Sequence, residues 1–308
     1  MGFSVALSNV ILTLIYIIPG YLLCKAKKAS AKHLSTMSAV LIYIGSPCII
    51  TSSFLNLDFN LDRLFFMGLF FVITLILQAA FILILYLLFK KKYEEAKYRI
   101  FTIASVMGNV GFFGLPIIKI LLPNNPEVMS YSSIYVISMN IIVFTVGVFC
   151  LTQKRQFISL KSAIINPAVL SLPVALPLWI LGANQFLPEM VIDSVNLISK
   201  MTAPLCMVIL GIRLATVSFK KLFSRPIIYL ICLAKLIIFP LFCYLAVFFL
   251  PLPYSFKASI LILSGVPCAS IVFNLAEMHK SETELSANCV LLSTMLCFIT
   301  IPILTLLA

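Results

Sequence analysis

Two short stretches hold the residue types that could recognise a ligand inside an otherwise apolar chain. The first reads Gly108-Asn109-Val110-Gly111-Phe112-Phe113-Gly114-Leu115-Pro116, and the second runs from Ser264-Gly265-Val266-Pro267-Cys268 through Ala269-Ser270 to Asn274. Pro116 lacks an amide donor and crowds the preceding turn, while the glycines permit a non-helical path. Backbone groups freed in this way cannot face lipid, so the stretch must line a cavity or pack against protein. Asn109 can cap a half-helix or hydrogen-bond a substrate. A proline-kinked helix explains the first stretch taken alone, and small-residue packing explains the second. Two breaks in matching positions favour another reading, in which two half-helices point their N-terminal dipoles at one spot and select an anion.

Two cations, Lys200 and Lys235, lie well inside apolar runs. Intramembrane charges mark functional sites unless their long stems snorkel to an interface. Lys119, just beyond Pro116, reads as nearer an interface. No Asp or Glu lies near the centre of any run, and Glu277 is the nearest candidate for a coupling carboxylate. Nine cysteines are scattered through apolar runs without a Cys-x-x-Cys pair, so they read as small hydrophobes and no metal or cofactor is expected.

These residues need a membrane protein to position them. Hydrophobic residues make up 62% of the 308 and charged residues only 10%, against about 25% charged in a soluble domain. A bilayer-crossing helix needs about 20 apolar residues. Ten runs meet or approach that length: 3–24, 35–55, 64–89, 98–121, 130–151, 164–182, 190–215, 226–250, 257–278 and 284–307. The formal net charge of +12 sits in short clusters between runs, which is a topology signal and excludes a continuous nucleic-acid-binding face. The clusters are Lys25 to Lys32, Lys90 to Arg99, Lys154 to Lys161, and Arg213 to Arg225; the alternate connections carry Asp58, Asp62, Glu127, Glu189 and Asp193. This places the basic loops in the cytoplasm and both termini outside. Met1–Leu23 has no basic residues ahead of its apolar stretch, so it reads as a retained first helix.

The chain also reads as duplicated. Ser46-Pro47-Cys48 is echoed by Ala203-Pro204-Leu205-Cys206, Pro116 by Pro267, and Asn140 by Asn288. Five runs per half is an odd number, so the second half is expected upside down relative to the first. The expected division is 1–151 and 164–308 as two repeats, joined by a cytoplasmic linker at 152–163. No phosphate-binding loop, His-Glu-x-x-His or Gly-x-Ser-x-Gly motif occurs, so neither an ATP-driven pump nor an intramembrane hydrolase is expected.

With these motifs in hand, the chain resembles the auxin efflux carrier family, which includes prokaryotic malate and malonate permeases. The resemblance covers nearly the whole chain. It is most specific at Gly108 to Pro116 and is supported by Asn166-Pro167 and the run from Gly265 through Glu277. It implies an all-α polytopic fold with ten transmembrane helices in two inverted five-helix repeats, crossed and broken at the fourth and ninth helices. It further implies a scaffold, often dimeric, and a transport domain that moves as an elevator in the cell membrane. The substrate carboxylate would sit at the crossing, near Asn109 and the N-terminal end of the half-helix after Pro116. The candidate substrate-binding residues are thus Gly108, Asn109, Gly111, Pro116 and Ile117 with Pro267, Ser270 and Lys200. The expected partners are a small organic anion, the lipid bilayer and a second copy of the chain. Two alternatives stay open: a membrane sensor or scaffold that binds a ligand without moving it, and a sodium-coupled symporter of the bile-acid type.

Overall fold

The computed structural model describes residues 15–216, 223 and 225–307. Residues 3–14 of the expected first run, and Lys220 and Lys221 of the last basic cluster, lie outside the described residues. The described residues form helices and no strand. In order these are α1 (Ile17–Lys25), α2 (Ala31–Leu55) and α3 (Leu61–Lys92), α4 (Ala96–Ala104), and α5 (Val110–Leu121), α6 (Val128–Thr152), α7 (Pro167–Ile180), α8 (Glu189–Thr216), α9 (Pro226–Phe248) and α10 (Tyr254–Ser264). α11 (Ser270–Met278) and α12 (Thr283–Leu304) follow. α2, α3, α6, α8, α9 and α12 are long and apolar enough to cross a membrane, and α5, α7 and α10 are shorter apolar helices.

Local chemistry sets several of these boundaries. Asn60 opens α3 by accepting from the Asp62 N–H at 2.7 Å. Asn166 does the same for α7 through Ala168 N–H at 3.0 Å, with Pro167 in the first turn, where its missing donor costs nothing. Pro47, Pro116 and Pro240 each follow a π-helical turn by two residues, the turns being 41–45, 110–114 and 234–238. A proline ring crowds the carbonyl four residues back, and a widened turn there makes room for it. Pro177, Pro204 and Pro302 are carried inside helices without one.

The helices pack in two groups. α8 lies along α1 and α2, and α7 along α2; separately, α3 packs on α6, α10 on α6 and α9, and α12 on α9 and α11. In the first group Gly20 and Gly211 face the opposite backbones of α8 and α1 so closely that a Cβ at either would strike a carbonyl group. Small residues permit such approach where lipid supplies no hydrophobic drive between helices. In the second group, buried polar groups join α3 to α6. Thr74 Oγ1 and Gln78 Nε2 both donate to Ser138 Oγ, at 2.9 and 3.1 Å. The groups meet where α8 touches the start of α5 and where α2 and α7 touch α6.

Candidate functional site

The fourth and ninth runs are both interrupted, and the interruptions touch. α4 ends at Ala104 and α5 begins at Val110; α10 ends at Ser264 and α11 begins at Ser270. Between them the two strands of backbone run antiparallel, with Gly108 bridged to Cys268. Asn109 N–H donates to Pro267 O at 2.8 Å, and Ala269 N–H to Met107 O at 2.9 Å. Asn109 is itself the centre of a tight inverse γ-turn, with φ −77° and ψ 61°, closed by Val110 N–H to Gly108 O at 2.8 Å.

Buried backbone groups must find partners, and the crossing satisfies its own. Cys268 N–H donates to Ser293 Oγ of α12 at 3.0 Å, and the Cys268 thiol to Ala104 O, the last carbonyl of α4, at 3.2 Å. Ser264 O, the last carbonyl of α10, accepts from Lys235 Nζ at 2.5 Å. Lys235 is fully buried. Its ammonium also lies 5.0 Å from the centroid of Phe239, and it sits directly behind Gly108, where an added Cβ would lie 3.1 Å from Nζ. A cation therefore stands at the negative end of α10 and beside the crossing peptide.

The two N-termini at the crossing differ from the C-termini. Neither the start of α5, at Asn109, nor the start of α11, at Ala269, has a side-chain cap. Their first-turn N–H groups and the positive ends of two helix dipoles thus converge on one place. The Asn109 side chain meets the Cys206 thiol of α8 there, and Asn109 and Ser270 are half-buried. The arrangement suits a small anion held by peptide N–H groups.

A family model described as membrane transport protein matches the chain twice, over residues 5–160 and 155–305. The chain belongs to this membrane transport protein family. No curated protein matches it. The family is that of the auxin-efflux-carrier-like resemblance, and its members are transporters rather than enzymes. With its apolar helices, this transporter is a multi-pass membrane protein.

The transporter brings together Gly108, Asn109, Pro267 and Ser270 at the crossing, and Gly111 lies in the π turn that follows. The position of the break and the placing of Lys200 at the crossing are corrected. The half-helix does not begin after Pro116 but at Val110, and Pro116 lies inside it. The proline is absorbed by the π turn at 110–114, so the opening of the helix falls earlier, at 105–109. Ile117 is 2% exposed and packs in the core. Lys200 is exposed and lines a separate cavity with Lys119. It precedes Cys206 by six residues, roughly 9 Å along α8 and about 120° around it.

Lys235 is the residue whose place the sequence left unresolved. Its intramembrane position was the signal, but nothing in the sequence ties the ninth run's Ser264 to it. The glycines also separate by role. A Cβ at Gly108 would lie 2.7 Å from Val266 Cγ2 and press on Lys235, whereas at Gly111 it would make an ordinary 3.4 Å contact with Val136. Gly108→Ala is expected to reduce transport at least tenfold and to lower the melting temperature of the purified protein. Gly111→Ala is expected to stay within about threefold of the parent in transport, with unchanged melting, consistent with the usual tolerance of substitutions that create no overpacking.

Proposed function

We propose that this protein is a secondary transporter that carries a small carboxylate, of the malate or malonate kind, bound at the crossing of α4–α5 with α10–α11. The observation that carries the reading is the meeting of two uncapped helix N-termini at Asn109 and Ala269 with a buried lysine behind them. Each of these features favours negative charge. Peptide N–H groups of the first turns would hold the carboxylate oxygens, the Asn109 amide would orient them, and Lys235 would supply the fixed countercharge.

In this reading the ten helices form two inverted repeats, 1–151 and 164–308, joined by the linker at 152–163. The group of α1, α2, α7 and α8 is the scaffold, through which two copies pair. The group of α3–α6 and α9–α12 is the transport domain, which slides as an elevator and carries the crossing from one side to the other. The two-group packing supports this division, since most close contacts fall within a group. The membrane is the cell membrane, with both termini outside. Several basic residues between runs support that orientation through the positive-inside rule.

Counterflow in proteoliposomes tests the reading. Vesicles loaded with unlabelled malonate are expected to accumulate labelled malonate transiently, and empty vesicles or vesicles without protein are not. Absence of counterflow with malonate, malate and other small diacids and monoacids would reject carboxylate transport.

A further inference from the structure

A second polar cavity, of about 310 Å³, opens away from the crossing and is lined by Lys119 and Lys200 with Asn56, Asn125, Asn196 and Ser52. No carboxylate is among its lining residues, and among the described residues neither lysine makes an ion pair. Glu127, next in sequence to two lining residues, pairs with neither. Part of the wall is tied together by its own hydrogen bonds. Asn196 Oδ1 takes hydrogen bonds from Ser52 Oγ at 2.6 Å and Asn56 Nδ2 at 2.7 Å. With Ser52, Asn56 and Asn196 bonded to one another, the charged groups left among the lining residues are the two lysines, of like sign.

The cavity sits at the end of the bundle where α2 stops and α3 starts; the Lys90-Lys91-Lys92 segment lies at the other end of α3. Lys119 lies nine residues past the start of α5, or roughly 13 Å along it. With Lys200 displaced along and around α8 as described above, a three-carbon diacid held here cannot also reach Asn109. The two lysines belong to different packing groups, since α8 packs on α1 and α2 whereas α5 packs on α6.

We propose that this cavity is a second anion site, which holds a small carboxylate between Lys119 and Lys200 ahead of the crossing. This inference rests on the carboxylate reading of the crossing and deepens it. Two ammonium groups on separate helices repel one another when the space is empty. A bound diacid bridges them with charge-assisted hydrogen bonds. It thereby draws the start of the path together and raises the local concentration of substrate. Because α5 carries Asn109 at one end and Lys119 at the other, the waiting anion and the crossing ride on the same helix.

Equilibrium binding of labelled malonate to the full-length protein in nanodiscs, in gluconate buffer, tests the proposal without relying on flux. Asn109→Ala weakens the crossing site and leaves the cavity intact. That variant is expected to keep one saturable malonate site, and adding Lys119→Gln and Lys200→Gln is expected to weaken it at least tenfold. Lys119→Arg with Lys200→Arg in the same background should stay within about threefold, which separates loss of charge from loss of fold. The proposal is overturned if Asn109→Ala binds no malonate or if the glutamine variants bind as it does. Chloride displacing malonate at equal concentration would also overturn it, by assigning the cavity to any small anion. Failure of carboxylate transport itself shows separately, as absent counterflow in the parent protein.

Discussion

Lys235→Met is expected to abolish carboxylate transport, reducing it at least a hundredfold, while lowering the melting temperature only slightly. The two outcomes separate because they arise from different interactions. Methionine has a similar length and needs no partner, so it fills the fully buried site without a charge to desolvate, which offsets much of the cost of leaving the Ser264 carbonyl without its donor. What is lost is the hydrogen bond to Ser264 O and the fully buried ammonium that sits behind Gly108. An anion roughly 7 Å from the ammonium would gain about 2 kcal/mol from it at an effective dielectric of about 20. Disorder of the Ser264 carbonyl, now without a donor at a cost of about 1–3 kcal/mol, adds to the loss by loosening the crossing. Lys235→Arg is not expected to rescue, because a guanidinium is larger and planar and Gly108 lies directly against the existing ammonium. Initial rates in proteoliposomes, set beside thermal unfolding of the same preparations, check both halves of the prediction. Full transport by Lys235→Met would remove the lysine from the account.

Asn109→Ala is expected to lower transport by about ten- to a hundredfold with normal yield and melting. The backbone of Asn109 makes the bonds that build the crossing, through its N–H to Pro267 O and through its carbonyl, which accepts from Phe113 and Gly114. Alanine keeps all of these, and φ −77° is open to any residue. The side chain contributes the amide that meets Cys206 and, in the proposed complex, one hydrogen bond to a charged ligand. Such a bond is worth about 1.5–3 kcal/mol, which sets the size of the effect. The change should fall on the concentration dependence of transport, and a measured half-saturation equal to the parent's would place the substrate elsewhere.

Much of the architecture was legible in the sequence because a membrane imposes a coarse signal. Long apolar runs separated by charge clusters gave helix positions that agree with α2, α3, α6, α8, α9 and α12 to within a few residues. Asn166-Pro167, a pair that carries part of the family resemblance, opens α7, with Asn at the cap and Pro in the first turn. The break in the fourth run was legible as a region and misplaced within it. Proline is the strongest breaker on paper, so Pro116 drew the reading, but a π turn absorbs it and the chain opens at 105–109 instead. Which residues touch across the crossing depends on the register of two segments about 160 residues apart, and no local pattern fixes that. Lys235 shows the same limit, because its partner Ser264 is distant in sequence and offers only a backbone carbonyl. Lys200 was grouped with the crossing for its charge alone; its position on the turn of α8 sends it to another cavity.

The central claim is that the crossing selects negative charge, and comparing malonate with malonamide tests it most directly. The two have nearly the same shape and differ in charge. Currents or tracer uptake should be recorded from the same proteoliposomes with each compound at equal concentration. The account predicts saturable malonate transport and no measurable malonamide transport. Transport of malonamide at a rate near that of malonate would contradict it, since neither helix dipoles nor a buried lysine could then be choosing the substrate.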